Sequence, residues 1–231
     1  HQIRTPLSSA LLYISNLGTN QLDLERRKRF TKKTLSALQH LETLVEEMLL
    51  FARGGRLNAK PSNVSSVIKD LIEQQENTLE DCKLNIIFDD KTSDVQVNLA
   101  CDAFKSALQN IFNNSCQAGN INTNIHIELS QKHPEEVQLV LTDDGPGIPA
   151  AIKPRLFEPF VTTRTNGTGL GLAVVDAVVR AHKGTISVQD GPERGTSFTI
   201  NLPVNKTENN KYLIQKNKLT TNSLNTNRSA I

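Results

Sequence analysis

Leu108-Gln109-Asn110-Ile111-Phe112-Asn113-Asn114-Ser115-Cys116-Gln117-Ala118 is the stretch that decides the fold. Together with the residues before it, it holds two patterns on one helix. Phe104, Ala107, Leu108, Ile111 and Ser115 recur at steps of three and four, which makes a packing face. Asn110 and Asn114 are four apart and share the opposite face. Their amide oxygens suit a hard cation such as Mg²⁺. An ordinary polar face in an Asn-rich chain accounts for the same spacing.

Working outward from this helix, Val137 to Thr142 reads as an apolar strand. Thr142-Asp143-Asp144-Gly145-Pro146-Gly147-Ile148-Pro149 follows it directly. A carboxylate at a strand end can accept a hydrogen bond from an adenine amino group, and glycines beside it let the backbone approach a flat base. A plain turn fits the Asp-Gly and Pro-Gly pairs equally well. Further on, Gly167-Thr168-Gly169-Leu170-Gly171-Leu172 runs into a helix. Amides at a helix start with no side chains in the way bind phosphates. No Gly-Lys-Ser/Thr follows, so this is not a Walker loop.

The remaining elements alternate. Val64 to Leu79 reads as helix, and Leu84 to Phe88 and Val95 to Leu99 read as strands. Helix is expected over Cys101 to Ala118 and Leu172 to Ala181. Ile121 to Leu129, Thr185 to Val188 and Ser197 to Leu202 read as strands. That order fits a two-layer α/β sandwich over residues 62–204.

Residues 1–53 read instead as two helices. Ile3, Leu7, Ala10, Ile14 and Leu17 form a coiled-coil-like seam. Gly18, Thr19 and Asn20 break it, and Asp23 is placed to cap the second helix. There Leu38, Leu41, Val45, Met48 and Ala52 repeat the seam, flanked by Leu35, Leu44 and Leu49. One partner helix cannot cover so wide an apolar surface. Pairing two hairpins into a four-helix bundle covers it, so the segment predicts a homodimer. Residues 54–61, opened by Gly54 and Gly55, read as a linker.

His1-Gln2-Ile3-Arg4-Thr5-Pro6-Leu7 opens the first helix. At about 100° per residue, His1 points roughly 200° away from Ile3 and its seam. Thr5 lies one turn along on the same exposed face. Pro6 is expected to bend the helix. A terminal histidine without a role is the alternative.

Composition sets bounds on all this. Hydrophobic residues make up 37% of the 231, and no apolar run reaches the length of a membrane helix. No signal peptide is visible, and the chain opens inside a motif, so it reads as a cytoplasmic part of a longer protein, soluble or membrane-attached through its upstream region. Cys82, Cys101 and Cys116 have no paired or metal-type spacing and read as buried free thiols. The net charge of +2 hides a basic end: residues 205–231 hold Lys206, Lys211, Lys216, Lys218 and Arg228 against Glu208. That end reads as a disordered tail. Nothing in the charge balance suggests a nucleic-acid surface.

In order and approximate spacing, these islands resemble the boxes of the sensor histidine kinases of two-component systems. Leu156-Phe157-Glu158-Pro159-Phe160-Val161-Thr162-Thr163-Arg164, Ala181-His182-Lys183-Gly184-Thr185-Ile186 and Gly195-Thr196-Ser197-Phe198 match as well. The resemblance covers about residues 1–203. It implies a dimeric helical hairpin carrying a phosphoacceptor His1, followed by a Bergerat-type ATP-binding fold using ATP and Mg²⁺. Asn114, with Asn110 beside it, corresponds to the Mg²⁺-binding asparagine, and Asp143 to the adenine-reading aspartate, with Gly145 and Gly147 in its glycine box. Phe157 to Asn166 corresponds to the ATP lid, with Thr163 and Arg164 near the phosphates. Gly167, Gly169, Leu170 and Gly171 line the triphosphate, and Thr196 supports the adenine end.

The implied partner is a response-regulator receiver domain, whose aspartate takes the phosphoryl group. The boxes are most similar to the nitrogen-regulation and polar-flagellar branch. Partners there are activators working with an alternative, sigma-54-type sigma factor. Thr5 matches the position that orients water for dephosphorylating the partner. Other Bergerat ATPases, and a non-catalytic receiver-binding scaffold, are the alternatives. Most relatives have Glu or Asp after the histidine. Gln2 cannot take a proton at neutral pH, but it can fix the ring's tautomer. Gln2→Glu is therefore expected to change both the autophosphorylation rate and its pH dependence. A rate and profile identical to the native chain's would remove any orienting role for Gln2.

Overall fold

The structure, a computed structural model, describes residues 3–18, 22–52, 58–76, 83–92, 95–119, 122–164 and 167–205. His1, Gln2, Thr19, Asn20, the Gly54–Gly55 pair and residues 206–231 of the expected tail lie outside the described residues.

Helices α1 (Arg4–Leu17) and α2 (Leu24–Ala52) form the hairpin. Asp23 caps α2 as its sequence position predicts, its Oδ1 accepting the Arg26 N–H at 2.7 Å. Tyr13 stacks on Phe30 across the hairpin at 6.1 Å between ring centres. Pro6 lies buried in the first described turn of α1. Ala10 is buried, but Ile3, Leu7, Ile14, Leu38, Val45 and Met48 are all exposed by 41–49%. The seam is thus an apolar stripe that one chain leaves uncovered.

The second region begins with β1 (Lys60–Asn63), which pairs antiparallel with β3 (Gln96–Leu99). Lys60 and Pro61 therefore belong to a strand rather than to a linker. A proline in a two-stranded ribbon needs no donor on its free edge, so it gave no strand signal. Helix α3 (Val64–Glu76) leads to β2 (Lys83–Asp90), and α4 (Cys101–Ala118) leads to β4 (Asn122–His133). Strand β5 (Glu136–Asp143), helix α5 (Gly171–Ala181), β6 (Thr185–Asp190) and β7 (Thr196–Pro203) follow. The main sheet has the order β2-β4-β5-β7-β6. Among the described strands only β2 and β4 run parallel, and the chain crosses between them through α4.

Strand alternation and helix periodicity meet in one core. Ile125, Ile127 and Leu129 of β4, Val137, Leu139 and Leu141 of β5, and Phe198, Ile200 and Leu202 of β7 point inward. They pack against Phe104, Ala107, Leu108, Ile111 and Phe112 of α4 and Val174, Val175, Val178 and Val179 of α5. Cys116 is disulfide-bonded and Cys101 is free, so the reading of three free thiols does not hold for Cys116. Spacing along the chain carries no record of which thiols meet in space.

His182 joins the two main helices. Its Nε2 accepts the Ala100 N–H at 2.9 Å, and its Nδ1 lies 2.7 Å from the Val178 carbonyl. The ring is buried and meets Phe104 edge-on at 6.0 Å. With Nε2 as acceptor, Nδ1 must donate, so the neutral tautomer is the one that fits. Burial also pushes the His182 pKa down. The unfolded chain, with an ordinary histidine pKa of about 6.5, binds this proton more readily than the folded one. Stability linked to His182 is then complete above about pH 6.5 and is lost as the pH falls below it. Urea midpoints measured from pH 8 to 5 are expected to decline below about pH 6.5, and His182→Gln should flatten that decline while lowering the plateau.

Candidate active site

The inward-facing register that builds the core ends in polar groups. Asp143 continues the Val137, Leu139, Leu141 alternation and so is carried into the interior at the end of β5. Ser115 lies on the core face of α4, and Thr196 opens β7. The three converge. Ser115 Oγ donates to Asp143 Oδ2 at 3.1 Å, while Oδ1 accepts the Gly145 N–H at 2.9 Å and the Thr196 N–H at 3.1 Å. Three donors from three elements compensate the carboxylate's burial. Gly195 (φ +81) passes so close that a Cβ there would lie 1.9 Å from the Asp143 carbonyl oxygen. Gly147 is also left-handed, at φ +81.

Around this carboxylate a cavity of about 720 Å³ opens. One wall is α4, with Asn110, Asn113 and Asn114. Another is the loop Gly167-Thr168-Gly169 and the start of α5, whose first backbone N–H groups have no helical partner. Gly169 adopts φ +65 and lies against the backbone of Phe160, which itself has φ 69. The Phe160 N–H donates to the Gly169 carbonyl at 2.8 Å, closing this loop on the segment before it. Thr168 Oγ accepts the Leu170 N–H at 3.0 Å.

Arg164 reaches across the cavity to α4. Its guanidinium donates to Asn114 Oδ1 at 3.3 Å, to the Asn114 carbonyl at 2.9 Å and to Gln117 Oε1. Burial lowers its pKa, though a guanidinium keeps its charge. The Asn114 amide oxygen therefore already faces a cation. Asn110 turns its Nδ2 toward the Gly171 carbonyl at 3.3 Å, which ties α4 to α5.

The sequence-predicted residues within the described regions divide into three groups. Asn110, Asn114, Asp143, Gly147, Thr163, Arg164, Gly167, Gly169, Gly171 and Thr196 all line the cavity. Gly145, Phe157 and Leu170 stand behind its wall: Gly145 and Leu170 through their hydrogen bonds, Phe157 by packing on the core. Thr5 lies exposed on α1, in the other region. Five contributors were missed. Ser115 was read only as packing, yet its hydroxyl holds Asp143. Thr168 sits inside the quoted glycine motif without having been assigned a role. His40, Thr43 and Glu47 of α2 also line the cavity, with no local signal to mark them.

Comparison with known proteins agrees with this geometry. The His Kinase A (phospho-acceptor) domain family matches residues 1–56, and the histidine kinase-, DNA gyrase B-, and HSP90-like ATPase family matches residues 101–206. Sensor protein kinase FleS of Pseudomonas aeruginosa is 35% identical over 204 residues, 88% of this chain and 50% of FleS. The chain belongs to the sensor histidine kinases.

Sensory histidine kinase/phosphatase NtrB of Rhodobacter capsulatus is 30% identical over 218 residues, 88% of this kinase chain and 60% of NtrB. The kinase chain thus spans about half the length of the curated relatives it matches. Among solved structures, histidine kinase ThkA in complex with response regulator protein TrrA superimposes with a TM-score of 0.73 at 25% identity, covering 89% of this chain and 59% of that one. Acinetobacter baumannii histidine kinase AdeS gives 0.71 at 25% identity, covering 89% and 98%. The region that holds the cavity is accordingly an ATP-binding domain of the kinase ATPase type. Among the described residues, no helix is long and apolar enough to cross a membrane.

The tight passage of Gly195 over Asp143 gives a direct check. Gly195→Ala must leave φ +81 or push Asp143 away. It is expected to destabilise the domain by about 1–3 kcal/mol in urea unfolding, whereas Gly18→Ala, which has φ −73 and whose Cβ would make only an ordinary 3.5 Å contact with the Ser15 carbonyl, should stay within about 0.5 kcal/mol of the native chain.

Proposed function

We propose that this chain uses ATP to phosphorylate His1 and passes the phosphoryl group to an aspartate on a response-regulator receiver domain. The observation that carries the reading is the buried, fully donated Asp143 carboxylate facing a cavity whose far wall is the amide-rich start of α5. That is the arrangement an adenine at one end and phosphates at the other require. Asp143 accepts the adenine amino hydrogen, and the exposed amides at the start of α5 receive the triphosphate.

Asn114, with Asn110 beside it, would hold Mg²⁺. The attraction of a guanidinium to the Asn114 oxygen supports a cation at that place. Bound there, the metal would neutralise charge on the phosphates. The role of the protein is mainly to position charges and reactants, the usual source of acceleration in phosphoryl transfer. A neutral imidazole nitrogen of His1 forms the new N–P bond as the bond to the ADP oxygen breaks, and ADP leaves with that electron pair. Gln2 orients the ring. Thr5 orients water for the reverse duty of dephosphorylating the partner.

The exposed apolar stripe on α1 and α2 is the surface a second copy would cover, completing a four-helix bundle. We take residues 1–53 as the dimerisation and phosphotransfer hairpin and the region up to residue 204 as the catalytic domain. The resemblance of the His1 to Leu7 box to the polar-flagellar branch supports a partner that activates transcription with a sigma-54-type factor.

The test is incubation with γ-labelled ATP and Mg²⁺, comparing the native chain with His1→Gln, Asn114→Ala and Thr5→Ala. Acid-labile, base-stable label lost in His1→Gln and reduced at least about 100-fold in Asn114→Ala is expected, with Thr5→Ala keeping its label but losing partner dephosphorylation. Label that persists in His1→Gln moves the acceptor elsewhere. Nucleotide binding without any label leaves a receiver-binding scaffold.

A further inference from the structure

The phosphate end of the cavity already contains an anion. Glu47 belongs to the hairpin, yet its Oε2 accepts the Thr168 hydroxyl at 3.0 Å, 121 residues away in sequence. Its Oε1 lies 3.5 Å from where a Cβ would stand on Gly171, the first residue of α5. The carboxylate therefore sits at the positive end of that helix, where an anion is stabilised.

Its neighbours hold it there. Leu50, one turn along α2, packs on the core of the ATP-binding domain, and Thr43 and Glu47 line the nucleotide cavity. Burial pushes the Glu47 pKa up, with the Thr168 hydrogen bond opposing the shift. A half-buried carboxylate on one domain, aimed at the phosphate loop of another, has the sign of the phosphates that loop is built to receive.

We infer that Glu47 is an intramolecular stand-in for nucleotide phosphate: its contact with Thr168 and the start of α5 competes with the triphosphate, so nucleotide loading breaks the hold of the hairpin on the catalytic domain. This rests on the reading of the cavity as an ATP site. In the resting arrangement the glycine loop is docked on α2 through Glu47. A triphosphate brings several negative charges to the same helix end, and the repulsion at a few ångströms, at the dielectric of a half-buried site, outweighs one hydrogen bond. The catalytic domain is then released to move along the hairpin. A transmitter whose nucleotide site is also its domain latch couples occupancy to mobility without a separate effector site.

Glu47→Gln separates charge from shape, because its amide oxygen still accepts from Thr168. The expected result in titration calorimetry is graded by phosphate number. A non-hydrolysable ATP analogue should bind about tenfold more tightly to Glu47→Gln than to the native chain, ADP less so, and adenosine equally to both, with the difference shrinking at high salt. Glu47→Ala should show the same grading. Equal affinities for the triphosphate in all three proteins, or one change common to triphosphate and adenosine, overturns the role of Glu47 and leaves the ATP site standing. Absence of nucleotide binding by the native chain and by both variants removes the ATP site and this inference together.

Discussion

Burial of the Asp143 carboxylate is the constraint on which the rest of the site depends. A charge carried inside by strand alternation must be met by donors or the domain loses several kcal/mol. Meeting it commits α4 through Ser115, the following turn through Gly145, and β7 through Thr196. Because Gly145 and Gly195 both pass against Asp143, neither tolerates a side chain without displacing it. One buried group thus fixes how the sheet end, the main helix and two loops meet. The cavity is the space left between them.

The opposite end of the cavity works by charge balance. Free amides at the start of α5 and the Arg164 guanidinium make it positive, while Asn114 and Glu47 supply the oxygens that face them. Arg164, Asn114 and Glu47 each have a partner from within the chain. A phosphate chain with its cation would take over the same places with the same signs.

Much of this was legible from the residues. The packing face of α4 was visible because 3.6-residue periodicity does not depend on what the helix packs against. All of its predicted members are buried, with Phe112 added. Asp143, Gly147, Gly169 and Gly171 stood out because each breaks the local pattern of its element, a charge ending an apolar strand or glycines opening a helix. Strand β1 was missed because Lys60-Pro61-Ser62-Asn63 shows neither alternation nor β-branching. Its strand character comes from the partner it finds in β3.

Sequence alone determined the faces: which side of each helix is apolar and which strand residues turn inward. Those follow from geometry within a few residues and need no knowledge of the rest of the chain. Tertiary structure alone decided the meetings. That Ser115 supports Asp143, that His182 clamps Ala100 to Val178, that Arg164 rests on Asn114, and that Glu47 of the hairpin reaches Thr168 are contacts between residues 4 to 121 positions apart. Closing such loops is favourable only once the core has formed and held the elements in place, so the short-range pattern carries no trace of the long-range ones.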